Sequence, residues 1–186
     1  MIAAIIAAAG SGERFGASIP KALIQLGDRT LIEHAVSSIS SVADQIIVTA
    51  PRGYEKEIQK LVGDGITVVT GGATRSESVR IGLSKVLCDA EYVLIHDAAR
   101  ALASPDLAKR VVDALKNGDV AVIPGLAQTD TVKIVDENGV VTSTPDRASM
   151  RRVQTPQGFT YGVINQAHAQ AGEATDDAAL VESLGK

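Results

Sequence analysis

The strongest constraint on this chain is an alternation. The short apolar runs "MIAAIIAAAG", "QIIVTA", "ITVVTGG", "EYVLIHDAAR" and "DVAVIPG" are separated by stretches with helical spacing. Continuous runs of this length suit strands buried on both faces, as in a parallel sheet. In "TLIEHAVSSISSV", Leu31, Ile32, Ala35, Val36 and Ile39 share a helical face behind Thr30, a suitable N-cap. "GYEKEIQKLVG" is amphipathic and stops at Gly63, and "ATRSESVRIGLSKVL" begins just after Gly71 and Gly72. "SPDLAKRVVDALKNG" has Ser104 as N-cap, Pro105 at the first helical position and Gly118 at its end. Alternating strands and helices imply right-handed crossovers and an α/β fold, a doubly wound, mostly parallel sheet. Ligands on such sheets sit beyond the C-terminal strand ends. Here those ends carry "AAAGSGER", "VTGGATRS" and "IHDAARA".

The alternation stops near residue 130. "DTVKIVDENGVVTSTPDR" holds two alternating runs around Asn138-Gly139, a type I′ hairpin signal. A hairpin hung from a parallel sheet needs a partner surface, so we expect a dimerisation arm at about 129–150. The competing expectation is a hairpin folded back on its own domain. "ATDDAALVESLGK" reads as a further helix with Thr175 as N-cap. No repeat, low-complexity tract or linker divides residues 1–186, which we read as a single domain plus the arm.

Composition narrows the partners. A net charge of −4 provides no global basic field for nucleic acid or membrane, so any anion site must be a local cluster of Arg and Lys. The apolar N-terminus ends at Gly10, too short to span a bilayer, and lacks a basic leader. The expected location is cytoplasmic. One cysteine, Cys88, excludes an intramolecular disulfide and a cysteine-based zinc cluster, and reads as a small buried residue. His34, His96 and His168 show no metal-ligand spacing.

The first loop, "AAAGSGERFGASIPKAL", places Arg14 and Lys21 among glycines and small residues. Backbone N–H groups of such a turn point at phosphate oxygens without steric cost, and Ala7–Ala9 leave room for a flat base. The spacing departs from the P-loop and from G-x-G-x-x-G, whose third glycine would fall on Phe15. Arg75, with Ser76 and Ser78, opens a helix and is suited to contact an anion or base. Asp97 ends a buried strand beside this edge and is a natural Mg²⁺ ligand or an ordinary loop-stabilising carboxylate. His96 has no neighbouring Ser or Cys nucleophile and reads as a loop-ordering residue.

Taken together, "AAAGSGERFG", "PKAL", "GGATRSESV", "HDAAR", "DTVK", "TPQGF" and "ATDDAALVE" occur in that order over residues 7–182. This series resembles the 2-C-methyl-D-erythritol 4-phosphate cytidylyltransferases, which use a Rossmann-like nucleotidyltransferase fold. The resemblance implies that Ala8, Ala9, Gly10, Gly12, Gly72, Arg75 and Ser78 surround CTP, with Arg14 and Lys21 as catalytic cations on its triphosphate. It implies Asp97 near Mg²⁺ and substrate, and Arg100 and Thr155 on the acceptor side. Thr131 and Arg147 would reach a neighbouring subunit's site from the arm, with Arg147 also catalytic, making a homodimer.

The implied partners are CTP and a sugar-alcohol phosphate, with a cyclodiphosphate synthase as a fused or separate companion. The implied reaction needs no general base, because the attacking phosphate is already mostly dianionic near neutrality, its second pKa being about 6. Ala101 stands where the family usually has proline, and Ala73 where it often has an acidic residue. The family pattern continues past Lys186 through a strand and helix with an Asn-Ile-Lys stretch, a segment we expect this chain to lack. The rival readings are a ribitol 5-phosphate cytidylyltransferase, a nucleotidylyltransferase using another base, and a non-catalytic CTP-binding regulator. "HDAAR" and "DT" at 130–131 favour methylerythritol phosphate over ribitol phosphate.

Overall fold

The computed structural model describes residues 1–10, 19–170 and 174–186. β1 (Ile2–Ala7) is followed by a small hairpin, β2 (Gln25–Leu26) and β3 (Arg29–Thr30). Then come α1 (Leu31–Ile39), β4 (Gln45–Ala50), α2 (Glu55–Val62), β5 (Thr67–Thr70), α3 (Arg75–Leu83), β6 (Tyr92–Asp97) and α4 (Pro105–Lys116). β7 (Ala121–Val122), β8 (Gly125–Ala127), β9 (Ile134–Val135), β10 (Val141–Ser143), β11 (Arg151–Val153) and β12 (Gln157–Thr160) precede α5 (Tyr161–Gln170) and α6 (Asp177–Glu182).

Six strands form one sheet in the order β5-β4-β1-β6-β12-β7. The first four are parallel, and β12 runs antiparallel to both neighbours. The period of two along β1 divides the core between two helical layers. Ile2, Ala4 and Ile6 pack with Ile32, Ile39, Ile58 and Leu115 from α1, α2 and α4. Ala3 and Ile5 pack with Val79, Leu83, Ile164 and Leu180 from α3, α5 and α6. With no wet face, β1 carries no polar residue, as the sequence pattern implied.

The caps act locally. Thr30 and Glu33 form a reciprocal capping box, Glu33 N–H donating to Thr30 Oγ1 at 3.4 Å and Thr30 N–H to Glu33 Oε2 at 2.8 Å. Ser104 accepts from Leu107 N–H ahead of Pro105.

Several expectations need correction. The run "DVAVIPG" gives only the two residues of β7, because Pro124 has no N–H to donate and the chain then pairs β8 with β11. The strand beside β6 is instead β12, from "TPQGF", and α5 follows it; neither was expected as an element. The arm's turn is not type I′, since Gly139 has φ +80° but no non-glycine residue has positive φ among those described. Asp136 Oδ1 accepts from Asn138 and Val140 N–H, which favours a turn with Gly139 alone left-handed. The N-cap of α6 is Asp176, which accepts from Ala179 N–H, rather than Thr175. Cys88 is exposed in the α3–β6 connection rather than buried. No helix among the described residues is long and apolar enough to cross a membrane.

Gly158 marks where β12 slides under α4: a Cβ there would lie 2.4 Å from Val111 Cγ1 and 2.9 Å from Leu115 Cδ1. Gly158→Ala is therefore expected to cost about 1–3 kcal/mol through overpacking. Urea unfolding reads this as a lower midpoint; an unchanged midpoint would show that α4 yields without cost.

Candidate functional site

Two cavities meet at the C-terminal edge of the sheet. A cleft of about 1160 Å³ is lined by Ala9, Gly10, Pro20, Gly71–Arg75, Glu77, Ser78 and Asp97, among others. A second cavity of about 970 Å³ is lined by Ala99–Ser104, Val122–Leu126, Gln154 and Thr155. The loop after β6 is the wall between them.

The cleft gathers much of the expected nucleotide set. Ala9, Gly10, Gly72, Arg75 and Ser78 line it, while Ala8 lies buried behind, its N–H on Thr49 O at 3.0 Å. Gly71 is required by close approach, since a Cβ would sit 2.4 Å from Ala9 Cβ. Ser78 Oγ accepts from Gly72 N–H at 3.1 Å and donates to Thr74 O at 2.9 Å, so it braces the glycine turn. Glu77 Oε2 accepts from Ala73 N–H at 2.7 Å, placing a carboxylate beside the position where an acidic residue was expected. Lys21 opens a 3-10 turn directly after Pro20. Gly12 and Arg14 lie outside the described residues.

Asp97 stands between two arginines. Arg75 Nε donates to Asp97 Oδ1 at 3.0 Å, and Arg100 Nε lies 3.6 Å from Oδ2. The other side of Arg75 pairs with Asp177, Nη1 to Oδ2 at 2.7 Å. Burial opposes the Arg75 charge, but Asp177 and then Asp97 outweigh it, so its pKa is raised. Arg75 thus bridges two carboxylates rather than standing alone at a helix start.

Arg100 and Thr155, the residues expected on the acceptor side, both line the second cavity. Arg100 donates to Gln154 Oε1 at 2.5 Å and to Val153 O at 3.2 Å. Thr155 Oγ1 accepts from Asp97 N–H at 3.2 Å and lies 2.8 Å from His96 Nδ1. His96 Nε2 is buried and has no partner among the described residues, so the proton belongs on Nδ1; the other tautomer would strand a buried N–H. Thr155 Oγ1 then accepts twice, and its O–H proton is left for a ligand. His96 orders the loop, as expected of it.

Thr131 and Arg147 line neither cavity. Both are exposed on the arm, where Arg147 Nη1 donates to Thr129 O at 2.9 Å. On the arm, Ile134, Val135, Val140 and Val141 are all more than half exposed, at 52%, 51%, 61% and 54%.

Asp177 and His168 received no role from the sequence, although "ATDDAALVE" had been singled out. The overlooked signal was the doubled aspartate: one can cap α6, and the other then needs a different partner.

A family profile, IspD: 2-C-methyl-D-erythritol 4-phosphate cytidylyltransferase, matches residues 2–186. The chain belongs to this family. The IspD profile spans both cavities and the arm. A cytidylyltransferase of that name from Rhodococcus jostii is 48% identical over 188 residues, covering 100% of this chain and 83% of the relative. The crystal structure of 4-diphosphocytidyl-2C-methyl-D-erythritol synthase from Anaerococcus prevotii superposes with TM-score 0.86 at 34% identity, covering 100% of this chain and 84% of that one. The bifunctional IspDF of Campylobacter jejuni gives TM-score 0.84 at 28% identity, covering 99% of this chain and 47% of that one.

Burial drives the His96 pKa down from 6.5 to about 4, against the upward pull of Asp97. Between those values the unfolded chain binds a proton at position 96 that the folded protein refuses, so stability is full above the upper value and falls as pH drops. The expected slope from this residue approaches about 1.4 kcal/mol per pH unit. Denaturation of the protein and of His96→Asn, without divalent metal, should show the extra acid sensitivity only with histidine present. Parallel slopes would refute it.

Proposed function

We propose that this chain transfers a cytidylyl group from CTP to 2-C-methyl-D-erythritol 4-phosphate, releasing pyrophosphate, in isoprenoid precursor synthesis. The observation that carries the reading is the pair of adjacent cavities that share Ala99, with Asp97 in one and Arg100 in the other, in a chain of this family. The first cavity has the glycine floor for a nucleotide. The second has a guanidinium and a hydroxyl for a phosphate-bearing acceptor.

The acceptor phosphate attacks the α-phosphorus, and pyrophosphate leaves in line. Two anions must approach, so the protein's task is positioning and charge compensation. Lys21, with Arg14, takes the triphosphate. Arg100 and the Thr155 hydroxyl orient the acceptor. Among the described residues no cluster of three His, Cys, Asp or Glu side chains could hold a metal. Asp97 is a single, partly open carboxylate in the nucleotide cleft, and Mg²⁺ accepts one carboxylate when phosphates and water complete its shell. Asp97 would therefore hold an Mg²⁺ brought with CTP, which would supply charge neutralisation at the phosphates.

A homodimer through the arm belongs to the same proposal. The apolar residues at the arm's tip are uncovered, as are Leu102 at 82% and Leu126 at 51% beside the acceptor cavity. A second copy's arm laid there would bring Thr131 and Arg147 to the acceptor. A cyclodiphosphate synthase, fused or separate, fits as a companion, and the likeness to the bifunctional IspDF supports that reading. A protein of this kind would work in the cytoplasm.

Pyrophosphate release from CTP and Mg²⁺ is expected with methylerythritol 4-phosphate and absent with ribitol 5-phosphate or no acceptor. Release with ribitol phosphate alone would overturn the substrate assignment. Lys21→Ala should keep the fold and lose about a hundredfold in turnover, or about 3 kcal/mol of transition-state stabilisation. Near-normal activity would remove that role. Arg147→Ala should raise the acceptor KM more than that of CTP; equal losses would count against a cross-subunit contact. Val135→Lys with Val141→Lys should give a monomer by light scattering. An unchanged dimer would take the arm out of the interface.

A further inference from the structure

Asp177 is 1% exposed and lines neither cavity, yet it is chained to the site. A buried carboxylate must find partners. It has Arg75 Nη1 at 2.7 Å and His168 Nε2 at 2.9 Å. The histidine bond requires the proton on Nε2, because a carboxylate only accepts. Arg75, through Nε, grips Asp97 Oδ1 at 3.0 Å. One planar guanidinium therefore spans two carboxylates, one at the end of β6 and one in the first turn of α6.

We propose that Asp177 is a positioning residue for the transfer reaction: braced by His168, it fixes Arg75, and Arg75 sets the orientation of the Asp97 carboxylate between nucleotide and acceptor. The proposal rests on the cytidylyl-transfer reading above. A purely structural role explains the arrangement poorly. Asp176 already caps α6 by accepting Ala179 N–H at 2.9 Å, so Asp177 is not needed there. A buried ion pair is also a weak stabiliser compared with apolar packing of the same volume. What the pair does provide is direction. With Asp177 in place Arg75 has a hydrogen bond to Asp97 and an ion pair to Asp177 as two anchors; with Asp97 alone it could turn about a single contact, and Asp97 would turn with it.

The test is a double-mutant cycle on the full chain, with Asp177→Asn, Arg75→Gln and the pair. Pyrophosphate release gives kcat and the acceptor KM; calorimetry without Mg²⁺ gives the Kd for CTP; thermal unfolding runs alongside. Asp177→Asn should lower kcat/KM for the acceptor by about tenfold to a hundredfold, leave the Kd for CTP unchanged, and cost nothing further once Arg75 is glutamine. Losses that multiply in the double variant, or activity equal to the unmodified chain, would overturn the proposal. Arg75→Lys supplies a second test if Asp177→Asn does not fold. An ammonium cannot span both carboxylates, so the same acceptor-side loss in kcat/KM is expected. Weakened CTP binding in Asp177→Asn, whose carboxylate lines neither cavity, would sink the positioning account. Turnover of the unmodified chain reports on the transfer reading; the coupling of positions 75 and 177 reports on this one.

Discussion

Everything at the site depends on the pairing of β1 with β6. Their register runs from Ile2 opposite Tyr92 to Ala7 opposite Asp97, so the glycine-rich segment and the carboxylate leave the sheet side by side. Ala98 N–H extends the ladder to Ala7 O at 3.1 Å. Strand order reverses here: the chain goes to β4 and β5 on one side of β1, then returns over the sheet to β6 on the other. The C-terminal ends of β1 and β6 mark the topological switch point. A slip of one residue would turn Ile2, Ala4 and Ile6 toward the wrong helical layer, so the core enforces the geometry of the site.

What could be read from the sequence follows from how local each cause is. The parallel strands were legible because burial on both faces leaves a continuous apolar run, and α1 and α4 because Thr30, Ser104 and Pro105 announce their starts. β12 was not legible: "QGFT" is short, carries a glycine and shows no alternation, and it is a strand only because the edges of β6 and β7 accept it. The arm's turn was misread because Asp136, two residues before Asn138, sets the backbone. The cleft residues were visible as motifs. The role of Asp177 was not, since its partner Arg75 is about a hundred residues away and nothing local to α6 points there.

A chain of net charge −4 that gathers a polyanion must confine its cations. Arg75 and Arg100 are both tied to Asp97, and Arg75 also to Asp177, so two cations and two anions form a neutral, fixed array. Such an array attracts a nucleotide less than two unpaired arginines would. In exchange it does not reorganise when charge develops, which is where electrostatic stabilisation gains most.

The arm is tied to the site through its C-terminal leg. Arg100 bonds Val153 O and Gln154 Oε1, Gln154 N–H bonds Pro124 O at 2.8 Å, and Thr155 bonds the backbone of Asp97. The base of the arm and the wall of the second cavity are therefore one piece. Its tip is different: β9 and β10 form a separate two-stranded sheet with their apolar residues uncovered. Two short strands alone are marginal in water, so the tip gains rigidity only when another surface covers it. If the proposed dimer forms and Arg100 takes the proposed acceptor role, the two would be linked through β11, whose Val153 O accepts from Arg100.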